Sequence, residues 1–236
     1  MRFVAAKSES TQASAVVFRA RDLLLRQRTQ IINALRGHLS EFGIIASQGT
    51  AYIPHLIAQV KDPNSALPEA ARVVLNLLIE TLQVLETKVK AFDTEIARRA
   101  REDEQARRLA TIPGIGPVTA TALVALAPAA TQFRRGRDFA AWLGLTPKEH
   151  SSGGKQKIGA TSKMGERTLR RRLILGACAV VQHHGKKVSK ESWLAKMLAR
   201  KPCMLTIVAL ANKMSRVVWA LLSKGGIYQA SVGAML

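Results

Sequence analysis

From Ala71 to Ile96, apolar residues stand at Ala71, Leu75, Leu78, Leu82, Leu85, Val89, Phe92 and Ile96, in steps of four and three without a break. Only an α-helix gathers such positions on one face. The stripe has two physical outcomes: the seam of a coiled coil, which would make the chain a homo-oligomer, or the inner face of a helix packed in a bundle. A related pattern at Val16, Val17, Ala20, Leu23, Leu24, Ile31, Leu35, Leu39 and Phe42 predicts a first long helix from Ser10 to Phe42, stopped by Gly43. A loop with Gly49, Pro54 and Pro63 follows, and a second long helix is predicted from Pro68 to Leu109, with Arg98 to Arg108 as its solvated, charged end. Aromatic residues make up only 5 % of the chain and β-branched alternation is scarce, so the fold class is mainly α. Three regions follow: an N-terminal helical segment over 1–67, a long helix or coiled coil over 68–109, and a C-terminal domain over 110–236.

That C-terminal region opens on Thr111-Ile112-Pro113-Gly114-Ile115-Gly116-Pro117-Val118-Thr119-Ala120. A tight turn with two glycines, followed by a proline suited to a helix start, has the form of a helix-hairpin-helix at about 108–127. Gly114 and Gly116 then become candidates to present backbone amides to a nucleic-acid phosphate without reading sequence. A Gly-Pro turn between two packed helices would have much the same sequence.

Charge narrows the partner class. The 236 residues carry 36 Lys and Arg against 16 acids, a net charge of +20. Between residues 131 and 201 lie 17 basic and four acidic residues, so most of that excess sits in 71 positions. A surplus of this size repels itself unless a polyanion neutralises it, which makes nucleic acid the expected partner. Helices are predicted within and after this segment at Asp138 to Leu143, Glu166 to His184, Ser192 to Ala199 and Pro202 to Ser223. A loop or short hairpin from Thr146 to Gly159 separates the first two. The uncharged run from Thr111 to Phe133 is interrupted by Pro113, Gly114, Gly116, Pro117 and Pro128, well short of a membrane span. No apolar stretch at the N-terminus reads as a signal peptide, and Cys178 and Cys203 offer neither a disulfide framework nor zinc spacing. The expected setting is cytoplasmic, nucleoid-associated when bound to DNA, with no membrane.

The loop Ser151-Ser152-Gly153-Gly154 is flanked by Lys155, Lys157, Lys163, Arg167 and Arg170. A serine beside glycines and cations has what a phosphodiester nucleophile needs: close approach of the backbone and stabilisation of charge on a pentacovalent transition state. The same residues also suit a flexible linker. His150 is a candidate base without an evident orienting carboxylate. No metal site is expected: His183-His184 lacks further ligands at suitable spacing, and the carboxylates between Glu80 and Glu104 are scattered.

Four blocks together resemble a known family. Ile112-Pro113-Gly114-Ile115-Gly116, Phe139-Ala140-Ala141-Trp142-Leu143-Gly144-Leu145-Thr146-Pro147, Ser151-Ser152-Gly153-Gly154-Lys155, and Ser162-Lys163-Met164-Gly165 with Leu169-Arg170-Arg171, in this order over about 60 residues, resemble the C-terminal transposase domain of the insertion sequence 110 family. Arg19-Ala20-Arg21-Asp22-Leu23-Leu24 and Asn33-Ala34-Leu35-Arg36-Gly37-His38-Leu39 are similar to the family's middle helices. The resemblance implies a DNA recombinase guided by a structured bridge RNA, with a composite active site. In such a site a serine nucleophile works with a RuvC-like domain whose four acidic residues bind Mg²⁺. Carried over, the nucleophile falls on Ser152, with Ser151 as the fallback; the nucleic-acid contacts expected from the turn and the basic residues themselves are Gly114, Gly116, Lys155, Lys157, Lys163, Arg167, Arg170 and Arg171. The region that Met1-Arg2-Phe3-Val4 resembles follows the RuvC-like domain, so the expectation is an N-terminally truncated transposase that binds no cofactor itself and needs the Mg²⁺ domain in trans. Two alternatives stand beside it: a non-catalytic nucleic-acid-binding module, and a coiled-coil oligomerisation fragment.

Overall fold

The computed structural model describes residues 9–184 and 191–229. Among them the chain is mainly helical: α1 (Glu9–Glu41), α2 (Ile53–Lys61), α3 (Glu69–Glu102), α4 (Glu104–Leu109), α5 (Pro117–Leu126), α6 (Gly136–Trp142), strands β1 (Pro147–Glu149) and β2 (Ile158–Thr161), then α7 (Arg167–His184), α8 (Trp193–Arg200) and α9 (Cys203–Lys224). These form two compact units, one over Val16–Glu95 and the other taking the remaining described residues.

In the unit over Val16–Glu95, Leu75, Ile79 and Leu82 of α3 share a core with Ile32, Leu35 and Leu39 of α1 and Leu56 and Val60 of α2. This part of the apolar stripe is therefore an inner face packed against the chain's own helices. The loop expected between the long helices contains α2, because Pro54 stands in its first turn, where a missing N–H breaks no helical bond. Two arginines fasten the connections. Arg72 donates to the carbonyl oxygens of Val60, Asp62, Ser65 and Leu67, and Arg36 donates to those of Ser47 and Gly49. Arg21 on α1 pairs with Asp93 on α3 at 2.7 Å.

In the second unit, the helix predicted to run to Leu109 breaks at Asp103. That residue is extended (φ −83°, ψ 118°), and its carboxylate accepts the Ala106 N–H at 2.9 Å, so it ends α3 and caps α4. Nor is Arg98 to Arg108 wholly solvated, since Ala100 and Ala106 are buried. Helix α9 is the centre of this unit and packs against α4, α6, α7 and α8. By length and composition it alone among the described helices could cross a membrane, yet Thr206, Ile207, Leu210, Met214 and Val218 form its buried stripe in this core. The turn between α4 and α5 lies directly on α7: a Cβ at Gly176 would collide with the Gly114 carbonyl oxygen. Only glycine permits that approach.

Candidate nucleic-acid interface and serine hairpin

Strands β1 and β2 pair antiparallel, with Pro147 opposite Thr161, Glu149 opposite Ile158 and an irregularity between. At the tip Ser152 and Lys155 bridge, with the Lys155 N–H donating to the Ser152 carbonyl at 3.1 Å. The two residues between them, Gly153 and Gly154, have φ of 56° and 76°. Two successive left-handed residues define a type I′ turn, whose twist matches the flanking strands and which side chains other than Gly, Asn or Asp resist. Space is not the reason for glycine here, because a Cβ at either position meets nothing within 4 Å. The tip is open.

The two serines differ sharply. Ser151 Oγ donates to Glu149 Oε1 at 2.9 Å and accepts the Lys157 N–H at 3.1 Å, so it bridges the strands. The Ser152 side chain is exposed and its hydroxyl has no hydrogen-bond partner among the described residues. His150 also serves the hairpin. Its backbone N–H donates to the Lys157 carbonyl at 2.8 Å, and its ring lies against Gly159, where a Cβ would come within 3.1 Å of Cδ2.

The base of the hairpin is held by a dense knot of backbone contacts. A Cβ at Gly144 would overlap the Met164 oxygen, and one at Gly165 the Trp142 oxygen, so the segment after β2 presses on the end of α6. Arg170 clamps the same place, its Nη1 donating to the carbonyls of Leu143 at 3.1 Å and Met164 at 2.9 Å. Lys163, within the knot, takes a left-handed φ of 53° that lysine adopts only when its surroundings enforce it. From α9, Asn212 Nδ2 donates to the Leu145 carbonyl at 3.2 Å.

The predicted cations thus divide. Lys155 and Lys157 on the hairpin, Lys163 behind it, and Arg167 and Arg171 one turn apart on α7 are all exposed. Arg170 is half-buried and engaged with carbonyls. Gly116 caps α5 and is exposed, whereas Gly114 is turned against α7. Lys186, Lys187 and Lys190 lie outside the described residues. Sequence reasoning overlooked Glu149, Asn212 and the glycines of the knot, whose roles depend on partners that only folding brings to them. Among the described residues no three or more His, Cys, Asp or Glu side chains gather closely enough to hold a metal ion. Among the described residues no such donor set fits Mg²⁺.

Residues 106–193 match the model of the transposase IS116/IS110/IS902 family. The chain is 43 % identical over 232 residues to a Pseudomonas aeruginosa protein described as a "probable family 20 transposase", covering 97 % of this chain and 69 % of that protein. It is also 34 % identical over 231 residues to the transposase for insertion sequence element IS1111A of Coxiella burnetii, covering 97 % of this chain and 64 % of the relative. The chain belongs to the IS116/IS110/IS902 family of transposases. It spans 60 % to 69 % of the length of the curated relatives it matches. The family match begins in α4, takes in the α4–α5 turn, the hairpin and α7, and ends at Trp193. Both serines and every predicted nucleic-acid contact lie inside it.

Proposed function

We propose that this family member acts in DNA transposition by supplying a serine nucleophile, Ser152, and the basic surface that holds the DNA backbone beside it. What carries this reading is the contrast at the hairpin tip: Ser151 is bound into the strands, while the Ser152 hydroxyl is exposed and unpartnered, among the described residues, beside two glycines that leave room for a phosphate. Lys155, Lys157, Lys163, Arg167 and Arg171 supply the positive field. The step is a transesterification. Ser152 Oγ forms a bond to phosphorus as the bond to the leaving sugar oxygen breaks, the hydroxyl proton passes to solvent or a base, and the leaving oxygen takes up a proton. The serine ester retains the energy of the broken bond, so a second sugar hydroxyl reverses the step and joins strands without ATP. Gly116 at the start of α5 adds a backbone amide to the phosphate contacts, in the manner of a helix-hairpin-helix.

A structured guide RNA, self-association through α3, and an acidic Mg²⁺-binding domain outside residues 1–236 belong to the same proposal; no step above is routed through the metal. The test combines the chain with a polypeptide carrying that acidic domain, guide RNA and donor DNA, then maps the protein–DNA adduct by mass spectrometry. The expected phosphate is on Ser152. An adduct on Ser151, or strand exchange that survives Ser152→Ala, overturns the assignment. Tight binding with no adduct under any of these conditions supports the non-catalytic binding module instead.

A further inference from the structure

Helix α9 is apolar for most of its length, and from Cys203 to Lys224 its only charged residues are Lys213, Arg216 and Lys224. Lys213 and Arg216 stand one turn apart, and neither has a hydrogen bond or an ion pair among the described residues. Lys213 is half-buried, with its Nζ 4.8 Å from the centre of the Trp193 ring on α8. Burial, and next the charge of Arg216, lower its pKa from the ordinary lysine value. A cation held against its own electrostatic interest, without a counter-ion, is how an anion site looks before the anion arrives.

The fold brings more charge to the same place. A Cβ at Gly136 would stand 3.2 Å from Arg216 Cα, so the bare backbone at the start of α6 rests on α9 at that residue. Arg134, Arg135 and Arg137 flank this contact and are exposed, and among the described residues only Arg135 has an acid partner, Asp138 at 3.3 Å. Backbone that carries Arg134 and Arg137 thereby lies beside backbone that carries Arg216, about 80 residues later in the chain.

We propose that Lys213 and Arg216, with Arg134 and Arg137 at the start of α6, form a second site for nucleic-acid backbone phosphate, in addition to the serine hairpin. The inference rests on the nucleic-acid-binding role proposed above and extends it to α9, whose Lys213 and Arg216 lie beyond the family match. Trp193 holds the lysine in place and excludes water from one side, so a phosphate at Nζ meets a poorly hydrated cation.

The test measures binding of the full chain to a duplex DNA of about three helical turns and to an RNA hairpin across a salt series. Each phosphate contact contributes about 0.9 to the slope of log affinity against log salt on duplex DNA. Lys213→Gln with Arg216→Gln should lower that slope by about two and weaken binding roughly tenfold or more at about 0.1 M salt, for whichever nucleic acid uses the site. Lys213→Arg with Arg216→Lys should retain both. Arg134→Gln with Arg137→Gln, two exposed changes, reads the same site without touching α9. A slope unchanged in either neutral double variant, with both nucleic acids, overturns the site. If Lys155→Gln with Lys157→Gln weakens binding while these variants do not, the hairpin surface stands and only the second site fails; a wild-type chain that binds neither nucleic acid overturns both.

Discussion

Ser151 and Ser152 are adjacent, chemically identical and in opposite circumstances. Loss of the Ser151 hydroxyl removes one hydrogen bond across the hairpin, from the Lys157 N–H, and one to Glu149 on its own arm, both at an exposed site, so Ser151→Ala should destabilise the hairpin by about 1 kcal/mol, whereas Ser152→Ala should leave thermal stability unchanged. Amide exchange at Lys157, whose N–H the Ser151 hydroxyl accepts, reads the difference directly. Lys213 offers a second residue-scale prediction. Its folded-state pKa lies below the unfolded value of 10.5, so the unfolded chain binds more protons between the two, and stability rises with pH across that window. Below it the penalty is fully present. Lys213→Met should therefore raise the melting temperature at neutral pH, and its advantage over wild type should shrink as pH climbs towards and past 10.5. Equal melting temperatures at neutral pH would falsify the reading of Lys213 as a strained cation.

At the scale of elements, two contacts decide how helices follow one another. Asp103 separates α3 from α4, and Asp103→Ala should cost about 1 kcal/mol through the lost cap, measured by urea unfolding. Gly176 sits within α7, where helix propensity alone predicts that alanine stabilises by about 1 kcal/mol. The Gly114 carbonyl leaves no room for the added methyl, so Gly176→Ala should instead destabilise by about 1–3 kcal/mol, with α7 pushed from the α4–α5 turn. A stabilised variant would show that the turn yields easily. Arg170 belongs to this scale too: its Nη1 joins the end of α6 to the segment after β2.

For the whole molecule, the apolar stripe of α3 links folding to assembly. Leu82 is fully buried among residues of α1 and α2, so Leu82→Asp places a charge in the core of the Val16–Glu95 unit. Far-ultraviolet circular dichroism should report loss of helix in that unit, beyond any change in sedimentation. Dissociation with unchanged helix content would instead point to a seam between chains.

Period and composition sufficed for much of this. The steps of three and four placed α1, the start of α3 and the helices after residue 136 to within a few residues, because amphipathic periodicity is local and survives without knowledge of partners. Charge density marked residues 131–201 for the same reason: it is a sum over neighbours in sequence. Other features depended on atoms brought from afar. Spacing could not choose between a seam and an inner face for α3, since both bury the same stripe and only the presence of Leu35 and Leu56 beside it differs. Pro54 concealed α2, Asp103 concealed a break, and neither Arg170's carbonyl partners nor the approach of Gly136 to Arg216 leaves a mark in the linear order. The sequence by itself determined a basic, mainly α chain of a transposase family with a Gly-Gly turn after two serines. Tertiary structure decided which serine is held and which is open, because the Lys157 N–H reaches the Ser151 hydroxyl only once β1 and β2 have paired.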